Sequence, residues 1–231
     1  MGQVLGIAGR IGAGKSHAAR ALAARGWRIV KFASPLKSAL GAIYRLAGLT
    51  PEAIDARLEG ALKEAPDPAM AGAFARGKLA GWSFAAAAAA GFPDAARRDL
   101  DLWASASWRD HDWTPRRLMQ ELGTEWGRRR MGDDFWVDRW REKAAEALAE
   151  NVAGVVADDV RFENEAAAVR DLGGRVILVQ AAAAAAPAAS HASENLDLRP
   201  DLIVPNRFDE AYLHSIAWVA DQPAAPRALA R

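Results

Sequence analysis

Gly9-Arg10-Ile11-Gly12-Ala13-Gly14-Lys15-Ser16 fits the pattern G-x-x-x-x-G-K-[ST] at every fixed position. Val4-Leu5-Gly6-Ile7-Ala8 before it reads as a short buried strand. Ser16 to Arg25 after it reads as a helix closed by Gly26. This is the strand–loop–helix context that the motif requires. Glycines let the backbone take positive φ and approach a ligand closely. Successive amides then cradle phosphate oxygens, and the helix N-terminus adds positive potential. Arg10, Gly12, Ala13, Gly14, Lys15, Ser16 and His17 are therefore the candidate lining of a nucleoside-triphosphate site. Lys15 reaches the β- and γ-phosphates of a nucleoside triphosphate, and the Ser16 hydroxyl can sit on Mg²⁺. The alternative is a glycine-rich turn that only packs a helix on a sheet, which would not need Lys15 and Ser16 in register.

A chain of 231 residues suits one α/β domain or two small ones. Thirty basic and twenty-nine acidic residues leave a net charge of +1, which argues against a protein that coats a polyanion. Without cysteine there is no disulfide and no thiolate metal site. The start Met1-Gly2-Gln3 does not read as a signal peptide, and Gly6 stands where a myristoylation motif wants Ser or Thr. The longest uncharged run, Val176 to Ser193, is mostly alanine and too weakly apolar for a membrane span. A soluble protein is expected.

Trp27 to Phe32 reads as a second strand, and Ser34-Pro35 opens a helix with Ser34 as N-cap. Lys37 in its first turn is either an ordinary solvated lysine or a group aimed at an anion, because a cation there opposes the helix dipole. Thr50-Pro51 and Thr114-Pro115 repeat the cap-plus-proline signal, and Pro66-Asp67-Pro68 breaks the helix between them. From Met70 to Asp112 the pattern is poor, with an alanine run at 85–90 and scattered tryptophans that suit core or lid packing better than base stacking. Asp110-His111-Asp112 reads as a solvated turn. The helix Arg116 to Leu122 is expected to be interrupted at Gly123-Thr124. Arg128-Arg129-Arg130 is either a solvated face or a phosphate-binding group.

Val152 to Ala157 reads as a parallel strand with Asp158-Asp159 at its C-terminal end, where open α/β sheets bind ligands. A carboxylate there holds Mg²⁺ through water, positions a substrate, or caps the helix that begins near Glu163. Arg175 to Val179 is another strand, Ala181 to Ala189 either a loop or a poor helix, Leu202-Ile203-Val204 a last strand, and Asp209 to Val219 a closing helix. Strands alternate with helices, so the expected fold is the three-layer P-loop NTPase type: a parallel sheet with helices on both faces. The expected organisation is a single domain over 1–231, with a helical substrate or lid insertion at about 50–130 and a disordered tail at about 223–231.

The absence of Asn-Lys-x-Asp disfavours a GTPase switch, and a small phosphate-loop protein with clustered Arg and Lys suits a small-molecule kinase. Further blocks follow in order: Phe32-Ala33-Ser34-Pro35-Leu36-Lys37, Arg116 to Glu125, Phe135-Trp136, Asp159 to Glu165, and His191-Ala192-Ser193-Glu194. With the phosphate loop, they closely resemble phage-type deoxynucleoside monophosphate kinases. The likeness covers most of the chain outside about 66–112.

The resemblance implies transfer of the γ-phosphoryl group of ATP to a dNMP, with Mg²⁺, giving dNDP and ADP. It implies a small-molecule nucleotide substrate, no nucleic-acid polymer and a cytoplasmic location (the host's if phage-encoded), and a homodimer would be unsurprising. Lys37, Arg117, Gly123, Thr124, Trp136, Asp159 and Glu163 match positions around the dNMP. Lys37 and Arg117 would hold its phosphate, Trp136 would pack against its base, and Asp159 would share the metal with Ser16. Lys15 and Arg161, with Arg128 or Arg130, would stabilise the charge in flight. The alanine tract departs from the family's more polar pattern there. A dephospho-CoA-kinase-like enzyme and a non-catalytic nucleotide-binding regulator are the rival readings.

Overall fold

A computed structural model describes residues 3–75, 79–108, 113–181 and 198–222. The chain folds as two compact units, one made of Met1–Phe32 with Trp140–Arg231 and the other of Ala33–Arg139.

The first unit is built on five parallel strands: β1 (Gln3–Ala8), β2 (Trp27–Ile29), β3 (Gly154–Val160), β4 (Arg175–Ala181) and β5 (Leu202–Asn206). Their order is β2-β3-β1-β4-β5, so the strand that feeds the phosphate loop is central. Helices α1 (Lys15–Ala23), α9 (Glu163–Asp171) and α10 (Glu210–Asp221) complete it. Leu5, Ile7, Leu22, Val156, Ile177, Val204 and Ile216 are buried in one apolar cluster. Near-continuous apolar strands are what a sheet covered on both faces demands. The predicted P-loop type α/β fold is therefore the one found.

Two strand boundaries differ from expectation for local reasons. β2 stops at Ile29, not Phe32, because side chains take the next backbone groups. The Trp140 indole N–H donates to the Val30 carbonyl at 2.9 Å, and the Phe32 amide donates to Asp159 Oδ1 at 2.9 Å. The Trp140 ring also stacks on Phe32 at 4.3 Å. β3 extends through the two aspartates instead of ending before them. Its register against β1 runs Gly6↔Ala157 and then Ala8↔Val160, so β3 carries one extra residue. That is a β-bulge, which re-aims side chains without ending the strand.

The second unit is helical: α2 (Ser34–Leu46), α3 (Pro51–Leu58), a 3₁₀ turn (Ala61–Glu64), α4 (Pro68–Ala75), α5 (Leu79–Ala89), α6 (Asp94–Ser107) and α7 (Pro115–Gln120). Helix α8 (Phe135–Ala149) then carries the chain back to the first unit. Thr50 and Thr114 cap as predicted, accepting from the Ala53 and Arg117 amides. Ser34 does not: the residue before α2 is Ala33, and no side chain caps it. The alanine run lies on α5, which packs against α2 and α6 with Ala86 and Ala87 fully buried. Small side chains let helix axes approach, so the low-complexity stretch is core. Trp108, Trp126, Phe92 and Leu100 are fully buried in the same cluster.

At the Pro66–Pro68 break, the buried Asp67 carboxylate accepts from the Tyr44 hydroxyl at 2.5 Å and from Arg57 Nε at 3.3 Å. Burial and this carboxylate together push the Tyr44 phenol well above its ordinary pKa.

The predicted interruption at Gly123-Thr124 is absent. The chain continues from α7 as a π-helical segment, Glu121–Arg128. The cause is Trp136, whose indole N–H donates to the Gly123 carbonyl at 2.9 Å and whose ring lies against Gly127. An inserted side chain widens the helix where an ordinary turn would close it.

Candidate functional site

The first unit places a glycine-rich loop at the C-terminal edge of its sheet, in the geometry of a candidate anion site. Gly9, Gly12 and Gly14 take φ of 151°, 78° and 94°, conformations that a side chain resists. Gly14 stands immediately before α1, so the loop feeds directly into the helix N-terminus. Lys15 folds back along the loop, donating from Nζ to the Gly9 and Arg10 carbonyls at 2.7 and 2.8 Å. Arg10, Ser16 and His17 are exposed, while Ala13 is buried beneath.

The bulge supplies the acidic counterpart. Asp158 is buried, and the Lys31 ammonium lies 3.2 Å from both its oxygens. Only the contact to Oδ2 is a hydrogen bond, which leaves the buried Oδ1 without one. Asp159 is half-buried and accepts from the Phe32 amide. Arg161 is exposed just beyond, and the turn beneath it is fixed by Glu165, whose Oε2 accepts from the Arg161 and Phe162 amides at 2.7 and 3.2 Å.

All these charges are felt at Lys15. Burial foremost, then the Arg161 guanidinium, lower its pKa, and Lys31 acts the same way. Asp158 and Asp159 oppose them without prevailing. Lys15, Arg161 and both aspartates therefore share one electrostatic neighbourhood in this unit. No group of three or more potential metal-ligating side chains occurs among the described residues. A donor set of one hydroxyl and one or two carboxylates still fits Mg²⁺, which is ordinarily held by few protein groups and completed by phosphates and water.

In the second unit, Lys37 on α2 and Arg117 on α7 are each held by a carboxylate. Lys37 Nζ lies 2.6 Å from Glu59 Oε1, and Arg117 Nε lies 3.1 Å from Glu121 Oε1. Helices α2, α3 and α7 pack together, so both cations belong to one bundle. Such partly exposed pairs are worth about 0–1 kcal/mol, so neither cation is strongly held by its carboxylate.

Gly123 and the exposed Thr124 lie on the π-helical segment. Trp136 is 5% exposed and enclosed by Phe92, Trp126 and Phe135, so little of its ring remains for a base. Arg128 is half-buried on the same segment, and Arg129 and Arg130 are paired with Glu125 and Asp99. Glu163, in the first unit, pairs with Arg170 at 3.0 Å and accepts from the Arg199 amide at 3.2 Å. These bonds would have to yield for it to meet a substrate.

Asp110-His111-Asp112, the alanine tract beyond Ala181, the His191–Glu194 block and the tail from Pro223 lie outside the described residues.

Several groups at the site escape a sequence reading. Lys31 and Glu165 look like ordinary surface charges until the sheet brings them in. Asn206 and Tyr212 reach the phosphate loop from nearly 200 positions away. The only hint in sequence is a polar residue closing the strand Leu202-Ile203-Val204-Pro205-Asn206.

A parallel sheet whose central strand runs into this loop and helix defines a P-loop kinase-type fold. Residues 95–208 match the family model described as deoxynucleotide monophosphate kinase. The match spans just under half of the chain and likens that segment to kinases of deoxynucleotide monophosphates. The matched segment runs from α6 just past β5, taking in the π-helical segment and the aspartate bulge but not the phosphate loop. No curated protein matches the chain. Among the described residues no helix is long and apolar enough to cross a membrane.

Proposed function

We propose that the protein transfers the γ-phosphoryl group of ATP to a deoxynucleoside monophosphate, giving dNDP and ADP. The observation that carries this reading is the geometry of the loop: three glycines at positive φ with Lys15 folded among its carbonyls, in a chain whose residues 95–208 match the deoxynucleotide monophosphate kinase model. Arg10, Gly12 to Ser16 and His17 take the donor's phosphates. Lys37 and Arg117 take the acceptor's phosphate, and Gly123, Thr124 and Glu163 border the nucleoside. Trp136 acts beneath them by holding the Gly123 carbonyl.

The nucleophile is a phosphate oxygen already ionised at neutral pH, so the protein need not remove a proton. The new bond joins that oxygen to the γ-phosphorus. The bond to the β–γ bridging oxygen breaks, and its electron pair leaves with ADP. The chain's contribution is alignment and charge neutralisation. Lys15 exchanges its carbonyl partners for phosphate oxygens, and Arg161, with Arg128, neutralises the equatorial oxygens. Ser16 and Asp159 would hold Mg²⁺, which when bound would supply divalent positive charge to the transfer.

Because its pKa is lowered, Lys15 loses its charge at a lower pH than an ordinary lysine. The alkaline limb of kcat/KM for ATP therefore falls early. Arg161→Ala removes a cause of the lowering and moves that limb to higher pH, whatever it does to the plateau. A limb that stays put or moves down would refute the coupling.

Asp159→Asn is expected to reduce dNMP turnover more than Asp158→Asn, since Asp158 is committed to Lys31 and Asp159 is the more open of the two. Steady-state rates for both variants decide it, and an equal or reversed order would assign the wrong carboxylate.

The test of the function is a panel: ATP and Mg²⁺ with each dNMP in turn, then dephospho-CoA, following ADP. ADP formation that depends on a dNMP supports the proposal. Formation with dephospho-CoA alone supports that rival, and tight ATP binding without acceptor-dependent ADP supports a regulator.

A further inference from the structure

Amides orient a phosphate only if their peptide planes are held, and here two side chains outside the loop hold them. Asn206, the last residue of β5, is 1% exposed, and its Nδ2 donates to the Ala13 carbonyl at 2.8 Å. Tyr212, in the first turn of α10, donates its hydroxyl to the Gly14 carbonyl at 3.1 Å. In a trans peptide the C=O and N–H point opposite ways. Fixing the Ala13 carbonyl therefore directs the Gly14 N–H away from Asn206, and fixing the Gly14 carbonyl does the same for the Lys15 N–H. These two amides open the helix that the loop feeds.

The two anchors are not equal. The Gly14 carbonyl also accepts from the His17 and Ala18 amides at 3.1 Å each, so α1 itself steadies that plane. Steadying the Ala13 plane falls to Asn206. The fit is close, since a Cβ on Gly14, already at φ +94°, would overlap the Asn206 amide nitrogen. The other end of the same side chain is also committed. Asn206 Oδ1 accepts from the Phe208 amide at 2.7 Å, and Phe208 sits at φ 61°, uncommon for a bulky residue. Both a donor and an acceptor are used, which is what an amide supplies and neither aspartate nor alanine can.

We propose that Asn206 is a positioning residue for the phosphate loop, with Tyr212 as its auxiliary: it sets the direction of the amides that bind the donor's phosphates. The proposal rests on reading the loop as the ATP site. It needs no contact between Asn206 and the nucleotide.

The test uses the full chain as wild type, Asn206→Ala, Asn206→Asp and Tyr212→Phe, with Val204→Ala as a control on the same strand. Each is titrated with Mg²⁺–ADP and with inorganic pyrophosphate, assayed for KM of ATP and dNMP, and melted. Both Asn206 variants are expected to weaken both probes about tenfold, the worth of one well-placed hydrogen bond. KM for ATP should rise while KM for dNMP holds. Tyr212→Phe should weaken the probes about threefold, and Val204→Ala should lower Tm with affinity unchanged.

Wild-type affinity in Asn206→Ala, or an equal loss in Val204→Ala at equal Tm, would overturn the proposal. If neither Asn206 variant folds, Tyr212→Phe decides: weakened probes uphold it and unchanged ones overturn it. A wild-type chain that binds neither probe removes the ATP-site reading itself, a failure recognisable because it precedes any variant.

Discussion

Lys15→Ala is expected to leave the fold intact and to cut phosphoryl transfer by on the order of a thousandfold or more. On the proposed reading the ammonium faces the donor's terminal phosphates, and its present partners are two carbonyls of the loop. Removing it deletes a charge that counts most when negative charge is shared between donor and acceptor. The fold should survive because Lys15 is only part-buried and opens α1, with no place in the apolar cluster. Its lowered pKa also means that the charged side chain is under strain from burial, so its loss gives back some stability. Circular dichroism and steady-state rates measured together check this. A folded variant that turns over at the wild-type rate would remove Lys15 from the mechanism.

Gly127→Ala is expected to destabilise the second unit by about 3 kcal/mol, which for a chain of this size lowers Tm by about 10 °C. A Cβ there would overlap the Trp136 indole nitrogen and lie 2.6 Å from its Cζ2. The ring cannot retreat, because Phe92, Trp126 and Phe135 enclose it. Displacing it also breaks the bond to the Gly123 carbonyl and so disturbs the segment that carries Thr124. Gly132→Ala is the natural comparison, since a Cβ there meets nothing within 4 Å and the cost is backbone conformation alone. Thermal melts of both variants check this, and an unchanged Tm for Gly127→Ala would contradict the packing described.

The features legible in sequence are those that a few neighbouring residues determine. The phosphate loop is read from eight consecutive residues because its work is done by its own backbone. Thr50 and Thr114 are read as caps because each closes onto an amide three residues on. Ser34 misleads because the same local signal allows a start one residue earlier. What stays hidden depends on distant partners. The bulge at Asp158-Asp159 exists only in the register with β1, and without it those carboxylates look like the end of a strand. The π-helical segment depends on Trp136, and with that ring absent from consideration, Gly123-Thr124 reads as a break. Asn206 is silent for the same reason, its partner being Ala13.

On the proposed reading, the loop at Gly9–Ser16 holds the phosphoryl group that passes to a nucleotide's phosphate. The most direct measurement is to supply ATP labelled in its γ-phosphoryl group, with Mg²⁺ and each dNMP, and find where the label goes. It should appear as the β-phosphate of a dNDP, and should stop doing so in Lys15→Ala. Label found only in unreacted ATP or in inorganic phosphate, with every dNMP unchanged, would contradict the account.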